Sequence, residues 1–246
     1  MKSDRIIFMG TPEVAKEYLE KLIQNKFNVV SVYTQPSRKK GRGMKIHHSS
    51  VYLIAKKNGI NIHQPHDFDD NITIKKFSES KPKLVIVMGY GLIIPKKVLS
   101  IPNLGFINIH LSLLPKWRGA APVEHAILNR DKITGVTIFK LDEKIDTGAI
   151  FISKKLKIDK DITKGELYIK LNEMGCKLLI DYLPKILEQK IFPKKQTKLN
   201  FPYASKITPE KRKIDFYNDV KYVYDQIRAF SPTPCSWFLY KNQRIK

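Results

Sequence analysis

The residues best suited to chemistry lie in one stretch, residues 106–122 (FINIHLSLLPKWRGAAP). Asn108 and His110 are two positions apart at the carboxyl end of an apolar segment typical of a strand, so both side chains leave the same face. In an open α/β sheet, ligands bind at the carboxyl ends of the strands. A single histidine there is usually a hydrogen-bonded edge residue. An amide beside an imidazole, however, suits an oxyanion developing on a carbonyl group, because both can donate hydrogen bonds to it.

A carboxylate could support this pair. Asp146 lies in residues 141–148 (LDEKIDTG), a loop that follows another predicted strand. A nearby carboxylate favours the protonated imidazole, which donates hydrogen bonds from both nitrogens. A turn residue before Thr147 and Gly148 explains Asp146 equally well.

Two loops could border a flat ligand. The segment after His110 runs from Ser112 to Pro115 and places two apolar residues, Leu113 and Leu114, in a turn. Such residues line a pocket or pack beneath the loop. The preceding strand ends in Gly89, Tyr90 and Gly91, whose glycines allow a ligand to approach the backbone closely. Trp117 and Arg118 could contact a substrate or fix the loop.

The elements that must position these residues alternate between strands and helices. Continuous apolar runs predict parallel strands covered on both faces, at residues 5–10, 28–34, 83–88 and 104–110. Helical patterns between them indicate an α/β fold with a parallel sheet. Further along we expect a helix at residues 122–130 and a hairpin from residues 134–141 and 149–158. A capping box at Thr163 and Glu166 predicts the start of a long helix that ends at about residue 189. A helix at residues 220–230 and a strand at residues 237–240 follow.

Charge and composition narrow the function classes. The chain has 246 residues and a net charge of +22, which indicates either a polyanionic partner or a solvated lysine-rich surface. Residues 36–48 contain five basic residues and no acidic one, and residues 190–213 contain eight basic residues and one acidic one. The longest apolar run, residues 84–95, falls short of the roughly 20 residues that span a bilayer. With no predicted leader and no disulfide framework in its two cysteines, we expect a cytoplasmic protein.

Three motifs together resemble one family: TQPSRKKGRG at residues 34–43, NIHLSLLPKWRGAAP at residues 108–122 and LDEKIDTG at residues 141–148. They are similar to the methionyl-tRNA formyltransferases, the tRNA-acting branch of the formyltransferases, over nearly the whole chain. The resemblance implies 10-formyltetrahydrofolate as donor and the α-amino group of methionyl initiator tRNA as acceptor. It implies no metal and no membrane partner, and we expect a monomer.

The resemblance also implies roles for single residues. Asn108, His110 and Asp146 would be catalytic. The folate would be bordered by Ser112, Leu113, Leu114, Pro115, Gly89, Tyr90 and Gly91. The basic loop would contact tRNA through Arg38, Lys39, Lys40, Arg42 and Lys45, with Arg42 reaching toward the acceptor end.

The implied organisation is a Rossmann-like, mostly parallel α/β formyltransferase domain over residues 1–189, a basic linker over residues 190–206 and the start of an OB-like barrel over residues 207–246. Family members usually continue for roughly 70 residues beyond the equivalent of Lys246, so the barrel is expected to be incomplete. Three alternatives stay open: a sugar or nucleotide N-formyltransferase, a formyltetrahydrofolate hydrolase, and a nucleic-acid-binding module without enzymatic activity. The last would explain the charge but not the pair at the strand end.

Overall fold

The structure, a computed structural model, describes residues 4–40, 43–197 and 200–246. Its strands are β1 (Ile6–Gly10), β2 (Val29–Tyr33), β3 (Arg38–Lys40), β4 (Lys45–His47), β5 (Asn61–His63), β6 (Leu84–Met88), β7 (Phe106–His110), β8 (Ile133–Lys140), β9 (Ile150–Lys157), β10 (Phe238–Tyr240) and β11 (Gln243–Ile245). Its helices are α1 (Glu13–Gln24), α2 (Ser50–Lys57), α3 (Asn71–Glu79), α4 (Lys96–Leu99), α5 (Pro122–Leu128), α6 (Lys164–Leu187) and α7 (Val220–Phe230).

A seven-stranded sheet forms the centre of the molecule, in the order β5-β2-β1-β6-β7-β8-β9. The first five of these strands are parallel, and β8 and β9 pair antiparallel. Every residue of β1 and β6 is buried, as expected for strands covered on both faces. The predicted mostly parallel sheet is therefore confirmed.

Each face of the sheet is covered by its own apolar cluster. On one face Ile107 and Ile109 pack in a cluster that contains the buried residues of α1 and α6. On the other face Phe106 packs with Phe77 of α3 and Val98 of α4. Because side chains alternate along a strand, Asn108 and His110 leave β7 on the same side as Phe106.

The long helix α6 begins at the predicted capping box. The Thr163 side chain accepts a hydrogen bond from the Glu166 N–H, and Glu166 Oε2 accepts one from the Thr163 N–H at 2.8 Å. These two bonds satisfy backbone donors that the first turn of a helix leaves free.

The basic segment differs from the loop that its sequence indicates. Within residues 36–48, β3 and β4 pair antiparallel, with Arg38 opposite His47. The segment carries lysines and arginines instead of the alternating apolar residues that predict strands, so the pattern gives no sign of a hairpin. The elements β5, α3 and α4 were also not predicted, because each is short or weakly periodic.

The C-terminal residues dock on the sheet domain through α7. Asp225 of α7 binds Arg130 Nε and Arg228 Nη2, each at 2.5 Å, and Arg228 also donates to the Ile162 carbonyl at 2.7 Å. Beyond α7, β10 and β11 form a two-stranded antiparallel sheet. The OB-like barrel stays a prediction. Within the described ranges, no helix is both long enough and apolar enough to cross a bilayer.

The Asp225 network predicts a large stability effect. In the Asp225→Ala variant the free energy of unfolding should fall by about 3 to 5 kcal/mol, because Arg228, whose side chain is 9% exposed, would remain as a buried charge without its carboxylate. Urea denaturation measures this change. The control is Asp159→Ala, which removes an exposed pair with Lys170 and should leave the midpoint almost unchanged. Equal midpoints for the two variants would contradict this account of the network.

Candidate active site

His110 ends β7 and is held by a backbone carbonyl. Its side chain is buried, and its Nε2 lies 2.8 Å from the Trp117 carbonyl oxygen. A carbonyl oxygen only accepts, so Nε2 carries a proton and donates. The other ring nitrogen, Nδ1, faces Asp146 Oδ2 at 3.6 Å, which is longer than a hydrogen bond. Among the described residues, Nδ1 is therefore the ring nitrogen that makes no hydrogen bond within the protein.

Asp146 approaches His110 from a loop that folds back over the sheet. The antiparallel strand β8 ends opposite Ile107, so residues 141–148 must return along β7 to reach His110. Asp146 itself has a φ of +54°, in the left-handed region that aspartate visits more readily than most residues with a Cβ. Its Oδ2 accepts a hydrogen bond from the Gly119 N–H at 2.8 Å, which fixes the carboxylate beside the imidazole.

The segment that contacts both side chains is anchored by a tryptophan. Trp117 is 3% exposed, and its Nε1 donates to Asp131 Oδ2 at 2.7 Å. Lys116 Nζ binds the other Asp131 oxygen, also at 2.7 Å. Of the two sequence-based alternatives for Trp117, the structure favours the one in which it fixes the loop.

A cavity of about 470 Å³ opens beside these residues. Asn108 and Asp146 line it together with apolar side chains: Leu92, Ile93, Ile94 and Leu99. Asn108 Oδ1 is buried and has no hydrogen-bond partner among the described residues. A buried carbonyl without a partner is costly, so this atom is suited to accept an N–H from a ligand.

The residues Gly89, Tyr90 and Gly91 form one wall of this cavity. Both glycines have positive φ angles, +60° and +81°. The Tyr90 carbonyl accepts hydrogen bonds from Thr11 Oγ1 and Gln35 Nε2, each at 3.1 Å, which hold the wall in place. Burial raises the pKa of the Tyr90 hydroxyl, so this side chain stays neutral.

The other predicted folate residues lie away from this cavity. Ser112 is fully buried, and its carbonyl accepts a hydrogen bond from Thr137 Oγ1 at 2.7 Å. The Leu114 N–H donates to the same hydroxyl at 3.2 Å. Among the residues that the structure describes, Ser112, Leu113, Leu114 and Pro115 do not line the cavity. Their contact with folate stays a prediction.

The basic hairpin begins next to the cavity wall. Arg38 Nη2 donates to Gln35 Oε1 at 3.2 Å, and Gln35 binds the Tyr90 carbonyl. The backbones of Lys39 and Lys40 pair with β4, where Lys40 lies opposite Lys45. Arg42, the residue predicted to reach the acceptor end, lies outside the described residues. The tRNA contacts of this segment stay predictions.

Residues of the predicted linker complete the site, and sequence analysis missed them. Tyr203 lines the cavity, and its side chain remains half exposed. The adjacent Ala204 pairs with the anchored segment: its N–H donates to the Arg118 carbonyl at 2.7 Å, and its carbonyl accepts from the Ala120 N–H at 2.8 Å. Gly119 permits this approach, because a Cβ there would lie 2.6 Å from the Ala204 oxygen. No periodic pattern in residues 190–206 indicated these contacts.

The chain matches two family profiles and several curated relatives. The profile described as "Formyl transferase" matches residues 4–183, and the one described as "Formyl transferase, C-terminal domain" matches residues 206–246. A relative from Dictyoglomus thermophilum named methionyl-tRNA formyltransferase is 42% identical over 98% of this chain and 78% of its own length. One of the same name from Kosmotoga olearia is 40% identical over 94% of this chain and 74% of its own length.

Solved structures share the fold at low sequence identity. A sugar N-formyltransferase from a Shewanella species superposes with a TM-score of 0.77 at 18% identity, covering 98% of this chain and 95% of that one. An N-formyltransferase from Helicobacter canadensis, in complex with folinic acid and dTDP-3-aminofucose, gives a TM-score of 0.72 at 24% identity, covering 92% and 80%. In the described part of this chain, no group of three or more His, Cys, Asp or Glu side chains is arranged to hold a metal ion.

The close contact at Gly119 predicts the effect of adding one methyl group. In Gly119→Ala the new Cβ would overlap Ala204 and the Tyr203 ring, so the linker backbone should separate from residues 118–121. We expect faster hydrogen exchange at the Ala120 and Ala204 amides. The free energy of unfolding should fall by about 1 to 3 kcal/mol more than in the control variant Gly59→Ala.

Gly59→Ala is the matched control for this test. Gly59 also has a positive φ, +66°, but a Cβ there would meet no atom within 4 Å. The control therefore introduces backbone strain without a collision. If both variants lose the same stability and neither changes exchange at Ala204, the linker contact does not depend on this glycine.

Proposed function

The chain belongs to the methionyl-tRNA formyltransferase family, and we propose that it transfers a formyl group from 10-formyltetrahydrofolate to the α-amino group of methionyl initiator tRNA in the cytoplasm. The observation that carries the proposal is a cavity whose lining includes two of the predicted catalytic side chains, one of which adjoins the third. Asn108 and Asp146 line the cavity, and His110 Nδ1 faces Asp146 at 3.6 Å. This arrangement suits acyl transfer to an amine, which requires both an oxyanion donor and a proton acceptor.

The backbone and the apolar side chains that line the cavity suit the flat, reduced pteridine ring of the folate donor. Its lining includes the glycine-containing backbone at Gly89 and Gly91 and apolar residues such as Ile93 and Ile145. Both isoleucines are largely exposed in the free protein, at 88% and 62%, so a flat ring system could cover them. The unpaired Asn108 Oδ1 would accept a hydrogen bond from an N–H group of a bound substrate.

Each of the three side chains has one task in the proposed reaction. The neutral α-amino group attacks the formyl carbon, and the Asn108 amide donates to the oxyanion that forms. His110, with Nε2–H held by Trp117, accepts the amine proton at Nδ1. Asp146 stabilises the resulting imidazolium. The bond from the formyl carbon to N10 of the folate then breaks, and the proton passes from His110 to N10.

Basic segments on the chain support a polyanionic acceptor. The hairpin of β3 and β4 begins beside the cavity, and residues 190–206 contribute Tyr203 to its lining. The basic side chains of these two segments would contact tRNA phosphates near the reacting amine. We therefore assign tRNA contacts to Arg38, Lys39, Lys40, Arg42 and Lys45.

Removal of the catalytic side chains should abolish transfer and leave the fold intact. We expect His110→Ala and Asp146→Asn each to lower single-turnover formylation at least about 100-fold, the usual effect of losing a positioned acid, base or oxyanion donor. The measurement uses charged initiator tRNA and formyl-folate, with circular dichroism to check folding. His66→Ala, which removes an exposed histidine outside the cavity, is the matched control and should retain full activity.

Product analysis in the same assay separates the alternatives. Formate released without an acceptor would indicate a hydrolase, and transfer to an amino sugar but not to tRNA would indicate the sugar-acting branch. Near-normal turnover of both variants would refute the assignment of these residues.

The basic hairpin should affect tRNA binding without affecting folate binding. We expect Arg42→Ala to weaken formylation strongly, and Lys39→Ala and Lys40→Ala to weaken it mildly. Each lost phosphate contact should reduce the slope of log K against log salt by roughly 0.7 to 0.9. Binding of tRNA at two salt concentrations, beside a folate titration, measures both effects.

Lys75→Ala provides the charge-matched control, because Lys75 is exposed on α3, outside the basic segments. It should leave the salt slope unchanged. An Arg42 variant that also loses folate binding would place that residue in the donor pocket instead.

A further inference from the structure

Gln196, in the basic linker, holds the loop that carries Asp146. Its Nε2 donates two hydrogen bonds, to the Asp146 carbonyl at 2.9 Å and to the Gly148 carbonyl at 2.8 Å. Its Oε1 accepts two more from Arg118, with Nε at 3.1 Å and Nη2 at 2.5 Å. The oxygen and the nitrogen of the carboxamide thus both make hydrogen bonds, which connect the linker with the loop of Asp146 and with Arg118.

The bonds of Gln196 act on a residue whose backbone needs support. Asp146 adopts a left-handed φ of +54°, which aspartate tolerates better than most residues with a Cβ, and contacts from its surroundings help to hold it there. The Gly119 N–H holds its carboxylate, and Gln196 holds its carbonyl. Arg118, which orients Gln196, directly precedes Gly119. Asp146 is therefore fixed from both its side chain and its backbone by one short segment.

We propose that Gln196 is a positioning residue for the formyl transfer, setting the backbone of Asp146 so that the carboxylate faces His110 Nδ1. This inference rests on the proposed role of Asp146. Gln196 donates hydrogen bonds to the Asp146 and Gly148 carbonyls. Its effect on the reaction would come only through the position of the Asp146 carboxylate. The alternative is that Gln196 only attaches the linker to Arg118.

Gln196→Glu distinguishes the two roles, because glutamate has the shape of glutamine. It keeps the oxygen acceptors for Arg118 but removes both N–H donors, and it places a carboxylate oxygen against two carbonyl oxygens. A residue that only attaches the linker would tolerate this change. A positioning residue would not.

We expect Gln196→Glu and Gln196→Ala each to lower kcat by about 10- to 100-fold, the effect of a small misplacement of a catalytic group, with KM for the formyl-folate unchanged. Gln24→Glu, an exposed position on α1, introduces the same charge and should leave kcat and tRNA binding at wild-type values. Wild-type kcat in Gln196→Glu, or a change confined to KM, would overturn the inference.

The double variant Asp146→Asn/Gln196→Glu tests whether the two residues act as a unit. If Gln196 acts through Asp146, the double variant should be no slower than Asp146→Asn alone. Multiplied losses would mean that Gln196 acts by another route and would overturn the inference. A slow Asp146→Asn beside an unaffected Gln196→Glu refutes only the role of Gln196, whereas an unaffected Asp146→Asn refutes the proposed site itself.

Discussion

The hydrogen bond from the Gly119 N–H to Asp146 Oδ2 is the contact on which the candidate site depends. Two residues earlier, the Trp117 carbonyl binds His110, so a single segment determines the positions of both side chains. The buried Trp117 indole, which donates a hydrogen bond to Asp131, anchors this segment. Because imidazole and carboxylate share one support, their relative position depends on the conformation of residues 117–119.

The sequence predicted those parts of the structure that depend on local pattern. Buried strands such as β1 and β6 are continuous apolar runs, and the pair Asn108 and His110 follows from alternation along β7. The contacts of Gln196 could not be predicted in this way, since it meets Asp146 across 50 residues of chain and shows no periodic pattern. Backbone donors and acceptors, such as the Gly119 N–H, are present at nearly every residue and carry no signature in the sequence.

Helix α5 connects the site to the C-terminal part of the chain. It starts directly after the segment that binds Asp146, and Arg130, just beyond its last turn, binds Asp225 of α7. A helix of seven residues is about 10 Å long, so the site segment and Arg130 lie at the two ends of one short element. The docking position of α7 therefore constrains the orientation of the site segment, although α7 contributes no side chain to the described cavity lining.

The unpaired Asn108 Oδ1 connects the thermal stability of the protein with ligand binding in the cavity. A buried carbonyl without a partner costs about 1 to 3 kcal/mol, and a ligand that supplies an N–H removes that cost only in the complex. A ligand that binds only the folded chain would raise its melting temperature, by an amount that grows with ligand concentration. An apolar residue at this position would avoid the cost of the unpaired carbonyl, but it would also remove the amide that the proposed reaction requires.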